Sequence, residues 1–270
     1  MIAIAKKELR AYFTQITGYI FMALMVFLTA LFFILGNVRV LSPNYHIVLS
    51  GATILFLLMV PILTMRLFAE EIRHKTDQLL YTCPLTVPQI VLGKYLAAAG
   101  LFVAAMAVTG LFPLILSRFG PLPTSMIIGA FVGYILVGLA FIALGLFISV
   151  LTDNQIISAG ATFGVLFLFF IMDGIALSLP VDTFSSLIFV LVCVAVAAFI
   201  FYHSTRKPLI GLGVGVVGVA VTFGLYLQNA LRFEGLTRGV LDLADIVYFV
   251  TFAALFIYFT VNVIEKRRWR

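Results

Sequence analysis

Charge is scarce in this sequence. Asp, Glu, Lys and Arg make up 10% of 270 residues, against roughly 25% in soluble globular domains, and that excludes the soluble class. Cysteine is nearly missing too. Cys83 lies in a polar passage and Cys193 in an apolar run, so a mutual disulfide is implausible and neither suggests a metal cluster. His46, His74 and His203 fall on different loops and sides of any membrane arrangement, and they make no metal site. A G-x-x-x-x-G-K-S/T run is absent, so the chain has no usual cradle for ATP. Gly213, Gly215 and Gly218 fit G-x-G-x-x-G, but inside an apolar run that follows no strand. That excludes the dinucleotide reading, which needs a strand before it and a helix after it.

What the sequence has in abundance is hydrophobic length. Hydrophobic residues make up 63%, and a membrane helix needs roughly 20 of them in a row to cross the hydrocarbon. Eight such runs occur, at about 17 to 36, 47 to 69, 90 to 117, 124 to 151, 156 to 179, 185 to 202, 208 to 230 and 245 to 264. The fold class expected is therefore an all-α integral membrane protein, one transmembrane domain over residues 1–270. A six-span alternative makes 185 to 230 a re-entrant hairpin. The short basic turn from His203 to Pro208 favours two full crossings there.

Basic residues set the orientation, because retained cytoplasmic loops carry the Lys and Arg excess. With eight spans and the N-terminus inside, only Arg39, Arg118, Arg232 and Arg238 of the 17 basic residues fall outside. Both termini are then cytoplasmic in a multi-pass protein of the cell membrane. The net charge of +6 is a topology signal and implies no nucleic acid. Residues 1–16 read as an interfacial helix, with Ile2, Ala5, Leu9, Tyr12, Phe13 and Ile16 on one arc and Lys6, Lys7, Glu8, Arg10 and Gln15 on the rest.

Between the second and third runs lies a polar passage, AEEIRHKTDQLLYTCPLTVPQIVLGK, at residues 69–94. From Met65 to Leu79 the spacing predicts one amphipathic helix, with Met65, Phe68, Ile72, Thr76 and Leu79 as its stripe. Arg66 with Glu70, Glu71 with Lys75, and Arg73 with Asp77 stand four apart and are expected to pair. Pro84 ends this helix by pushing Cys83 out of the α region. Thr86 to Gln89 has capping-box spacing, so the third span should start there, with Pro88 in its first turn. A connector could be far shorter. The loop, residues 70–89, reads as a docking element for a cytoplasmic partner, since helix-in-groove docking uses this kind of stripe.

Elsewhere the sequence is less specific. Gly129 to Gly133, Gly160 to Gly164 and Gly211 to Gly215 have spacing that permits close helix contact. Asp153 and Asn154 read as helix caps in a tight turn. Asp173 stands near the outer end of the fifth run, either snorkelling to the interface or lining a substrate path. Residues 229–245 mix Arg232, Glu234, Arg238, Asp242 and Asp245 with apolar neighbours and read as an outer amphipathic segment, at its simplest an outer loop.

Pro61 to Arg66, Ala69-Glu70-Glu71, Thr76-Asp77-Gln78-Leu79-Leu80, Pro84 and Ile90 to Lys94 together resemble the signature of membrane subunits of ATP-binding-cassette exporters. The nearest set is the gliding-motility-type permeases of the class called type V, which Arg238-Gly239, Asp242, Asp245, Tyr248-Phe249 and Arg267 to Arg270 also match. Cys83 stands where Ser or Thr is more usual in that family, and the pair of runs at 185 to 230 exceeds its common six spans. The resemblance implies a permease dimer, most simply a homodimer, on two ATPase subunits. It implies that the loop is a coupling helix, with Arg66, Glu70, Glu71, Arg73, Thr76, Asp77, Leu79, Leu80 and Pro84 as coupling residues. ATP and Mg would sit on the partner ATPase, with no catalytic residue and no cofactor in this chain. By analogy with permeases of this family, residues 229–245 would be more than a simple outer loop, a part that gates an exit or meets an auxiliary subunit. The competing class is a secondary carrier working without an ATPase, which needs ion-coupling carboxylates near mid-membrane; Asp173 is the one clear candidate.

Overall fold

The structure is a computed structural model that describes residues 2–14, 16–40, 43–75, 86–118, 122–178 and 243–268. It divides into two units, Met1–Leu166 with Glu234–Arg270, and Phe167–Phe233. Of the second unit, the helical backbone is described up to Ser178 and the side chains up to Ile171. The sixth and seventh runs, the basic turn between them and most of the outer amphipathic segment lie outside the described residues.

Every regular element among the described residues is helical. That follows from the composition, because hydrocarbon offers no partner to a backbone amide and a helix satisfies its own. α1 is Ile2–Thr14 and α2 is Ile16–Phe33, continued by a π-helical turn at Ile34–Val38. α3, Tyr45–Ala52, passes through a short 3-10 turn into α4, Phe56–Thr64. After a turn comes α5, Ala69–Arg73. α6, Val87–Thr109, runs on into α7, Leu111–Leu116. α8 is Thr124–Leu151, α9 Gln155–Ser178 and α10 Leu243–Arg268.

Five stretches are long and apolar enough to cross a membrane: Ile16–Val38, Tyr45–Arg73, Val87–Leu116, Thr124–Leu151 and Ile246–Arg267. They coincide with the first four runs and the eighth. The fifth run forms α9, apolar over Gln155–Ile171. The starts of α6 and α9 were legible. Thr86 and Gln89 form the expected capping box, with Pro88 in the first turn of α6, and Asn154 Oδ1 accepts the Ile156 amide at 2.9 Å.

The first unit is built around α4 and α8, which belong to the two most buried of the five spans. Phe56 on α4 sits against Tyr134 of α8 at 4.5 Å between ring centroids and against Phe102 of α6 at 5.8 Å. Gly138 makes room for this cluster. A Cβ there would come within 2.4 Å of the Phe102 ring. The Tyr134 hydroxyl, buried with its ring, donates to the Ala52 carbonyl at 3.1 Å. α10 lies along α8, with Phe256 5.7 Å from Phe147. At one end of the bundle Phe33 stacks on Phe112 at 5.2 Å and Tyr45 on Phe131 at 5.7 Å. The opposite end is held by charges.

Candidate functional site

The charged end forms where α4 breaks. Met65 to Phe68 is a turn, and α5 closes at Arg73, followed by Lys75 at φ 56°. The expected single helix from Met65 to Leu79 is therefore interrupted twice within its described part. Neither Gly nor Pro occurs from Arg66 to Lys75; contacts from other helices hold the first break. The amides of Phe68 and Ala69, which a helix start leaves without intrahelical partners, both donate to Ser149 Oγ of α8 at 3.1 and 3.2 Å. The Leu67 carbonyl accepts from Lys94 Nζ of α6 at 2.7 Å.

Lys94 is the centre of the site. It is 1% exposed, and an ammonium in such a place is costly unless every donor finds an acceptor. Its three N–H groups meet three oxygens: the Leu67 carbonyl, Glu71 Oε1 at 2.8 Å and Glu8 Oε1 at 3.4 Å. The Phe68 ring lies 5.0 Å from Nζ and adds a cation–π contact. One lysine of α6 thus ties together α1, the turn after α4, and α5.

Two expectations change here. Glu71 is turned inward to Lys94, whereas helical spacing pairs it with Lys75; α5 ends before Lys75, so that spacing is not realised. Glu8 belongs to the packed face of α1, with Ile4 and Tyr12 one turn on either side, although the sequence groups it with the polar arc. The pairing of Arg66 with Glu70 is as expected and is two-pronged, Nε to Oε2 at 2.9 Å and Nη2 to Oε1 at 3.0 Å. Arg66 Nη1 also reaches Thr17 Oγ1 of α2 at 3.4 Å. Tyr12 donates to the Leu63 carbonyl at 3.0 Å. Burial holds its hydroxyl above the ordinary phenol range, with the Glu8 carboxylate adding to the effect, so it remains a neutral donor.

Arg73, His74 and Lys75 are exposed beyond these contacts. Thr76, Asp77, Leu79, Leu80 and Pro84 lie outside the described residues, and with Asp77 goes the expected partner of Arg73. For Asp173 the helical backbone of α9 is described and the side chain is not. Lys94 was within reach of sequence reasoning. A lone lysine one position before Tyr95-Leu-Ala-Ala-Ala, inside an apolar run, requires a buried counter-charge wherever the helix is enclosed.

The turn, the exposed basic tip and the ion-paired root all fall inside a stretch that matches a family model. The model, described as ABC-2 family transporter protein, covers residues 42–188, over half of the chain. The chain belongs to the ABC-2 transporter family. It is accordingly a multi-pass transmembrane subunit of an ABC transporter, a transport subunit whose family implies an ABC ATPase partner. No curated protein matches it. Within this ABC-2 subunit the matched region holds α3 to α9, and Glu8 joins the site from outside it.

Proposed function

We propose that this chain is the permease of an ATP-driven exporter of the type V, gliding-motility-type class, and that α5 with the residues following it is its coupling helix. Supporting this reading is the way α5 is rooted. Its first amides are held by α8, its Glu71 by α6, and the turn before it by α6 again. Force applied at the exposed Arg73, His74 and Lys75 reaches α1, α6 and α8 together, which is what a coupling element must do. Arg66, Glu70 and Glu71 hold the root; Arg73, Thr76, Asp77, Leu79, Leu80 and Pro84 make the docking side.

Two copies would sit on two ATPases, which carry the ATP and Mg. One docking element per chain requires that ratio. Gly160 and Gly164 of α9 fit the dimer, since among the described residues a Cβ at either would meet nothing within 4 Å, leaving room for a second helix to approach closely. In this reading the charged end and both termini face the cytoplasm in the cell membrane. Asp173 lines the substrate path, and the segment 229–245 meets an auxiliary subunit on the outer side. The test is a cross-link. With Arg73→Cys, the complex purified with its ATPase should yield a permease–ATPase adduct that weakens when nucleotide closes the ATPase pair. An adduct-free complex that still shows transport-coupled ATP turnover would refute the assignment of α5.

A further inference from the structure

We propose that the outward face of α1 binds anionic lipid headgroups of the leaflet it lies against. α1 has two uses for its apolar residues. Ile4, Leu9 and Tyr12 are turned toward the protein, with Leu9 Cδ1 3.5 Å from where a Cβ of Gly100 would stand. Ile2 and Phe13 are turned out, 77% and 36% exposed, so the packed face is rotated away from the arc that the sequence alone suggests.

The depth of the helix decides what Ile2 and Phe13 meet. Glu8 reaches Lys94 and Leu9 lies by Gly100, six residues further along α6, or about 9 Å at the helical rise. On its other side Tyr12 bonds the last turn of α4. α1 therefore lies alongside the last turn of α4 and the N-terminal part of α6, from its second turn to its fourth, with exposed cations and exposed apolar residues side by side, as at the level where headgroups give way to acyl chains. Phe13 contacts Tyr19 of the first span, edge to face at 6.1 Å, and Tyr19 is itself exposed, as interfacial aromatics are.

Charge then selects the lipid. Lys6, Lys7 and Arg10 are exposed on this same outward face. The helix's one carboxylate, Glu8, is directed inward to Lys94, and among the described residues no carboxylate pairs with any of the three cations. Cations flanked by exposed Ile2 and Phe13 at this depth complement an amphiphile with an anionic head. A zwitterionic headgroup leaves no net charge to answer them.

The experiment uses the full chain extracted into an equal mixture of phosphatidylglycerol and phosphatidylcholine, with bound lipid counted by native mass spectrometry. The wild type should retain phosphatidylglycerol several-fold over phosphatidylcholine, and K6Q/K7Q/R10Q should fall to parity. Parity in the wild type, or undiminished preference in the variant, overturns the proposal. So does a variant that keeps its phosphatidylglycerol but no longer co-purifies with the ATPase, since the face would then dock protein. Should the triple variant fail to insert, F13W in a W269F background gives the same answer. Brominated phosphatidylglycerol should quench it more than brominated phosphatidylcholine, and equal or absent quenching overturns the proposal. None of these lipid readouts depends on α5 being a coupling helix.

Discussion

The two ends of the first unit are joined in opposite ways. At the aromatic end Phe33, Tyr45, Phe112 and Phe131 hold α2, α3, α7 and α8 together through ring faces. At the charged end a comparable number of helices meets through Lys94, Glu8, Glu71, Arg66, Glu70 and Ser149. Ring contacts depend on touching area and tolerate small slides. Hydrogen bonds and close ion pairs weaken steeply once distance and angle are lost. The aromatic end is therefore suited to holding spans in place, whereas the charged end has a defined register that can be made or broken. In the coupling role proposed for α5, a joint with discrete registers suits the point where force would enter, and the contrast itself can be tested.

The largest expected effect comes from removing the cation. Lys94→Met leaves Glu8 and Glu71, whose side chains are 17% and 18% exposed, facing each other without the charge that holds them. Breaking a buried pair by deleting one partner costs about 3–5 kcal/mol. Reversible unfolding in mixed micelles should show a loss of that size. The triple variant Lys94→Met, Glu8→Gln, Glu71→Gln should regain most of the stability while ATP turnover stays uncoupled. If the single variant is as stable as wild type, the charged end is not held by this lysine.

Ser149→Ala comes next. It strips one oxygen that serves two amides at the start of α5, and loss of a helix-start acceptor costs about 1–2 kcal/mol. Its effect should appear in hydrogen exchange at Phe68 and Ala69 before it appears in global unfolding. Unchanged exchange there would mean that the break in α4 is held by something else.

Some of this was open to reading and some was not, for reasons that particular residues make plain. The capping box at Thr86 and the cap at Asn154 are local, each contained within four residues, and both were legible. So were the five spans, because their apolar length needs no context. The break at Met65–Phe68 was hidden. Its helix-forming sequence is overruled by Ser149 and Lys94, which stand about 80 and 27 residues away. The Lys94 cluster was hidden for the same reason, with Glu8 a full 86 residues from its partner. Of the candidate site, then, the residue types were legible and their pairings were not, since four-apart spacing describes an isolated helix and α5 is not isolated.

At the aromatic end, Phe33→Leu tests the other half of the contrast. It removes one ring from contacts with both Tyr45 and Phe112, and aromatic pairs contribute about 0.5–1.5 kcal/mol beyond their area. The loss should be about 1 kcal/mol, indifferent to salt, with ATP coupling intact. Uncoupling by this substitution would erase the distinction between the two ends.

The smallest effect is expected at Arg66 and Glu70, and it sharpens the division within the charged end. Their pair is two-pronged, yet the side chains are 24% and 34% exposed, so solvent and salt screen it. Four-apart pairs of this kind contribute about 0.3–0.5 kcal/mol. A double-mutant cycle of Arg66→Gln and Glu70→Gln should return a coupling energy in that range, shrinking as salt is raised. Glu71→Gln, by contrast, should destabilise severalfold more than Glu70→Gln and should respond little to salt, because its partner is enclosed. The two glutamates are adjacent in sequence and carry the same charge. Equal effects from the two substitutions would mean that burial of Lys94 does not set them apart, and the inward-facing root of α5 would lose its physical basis.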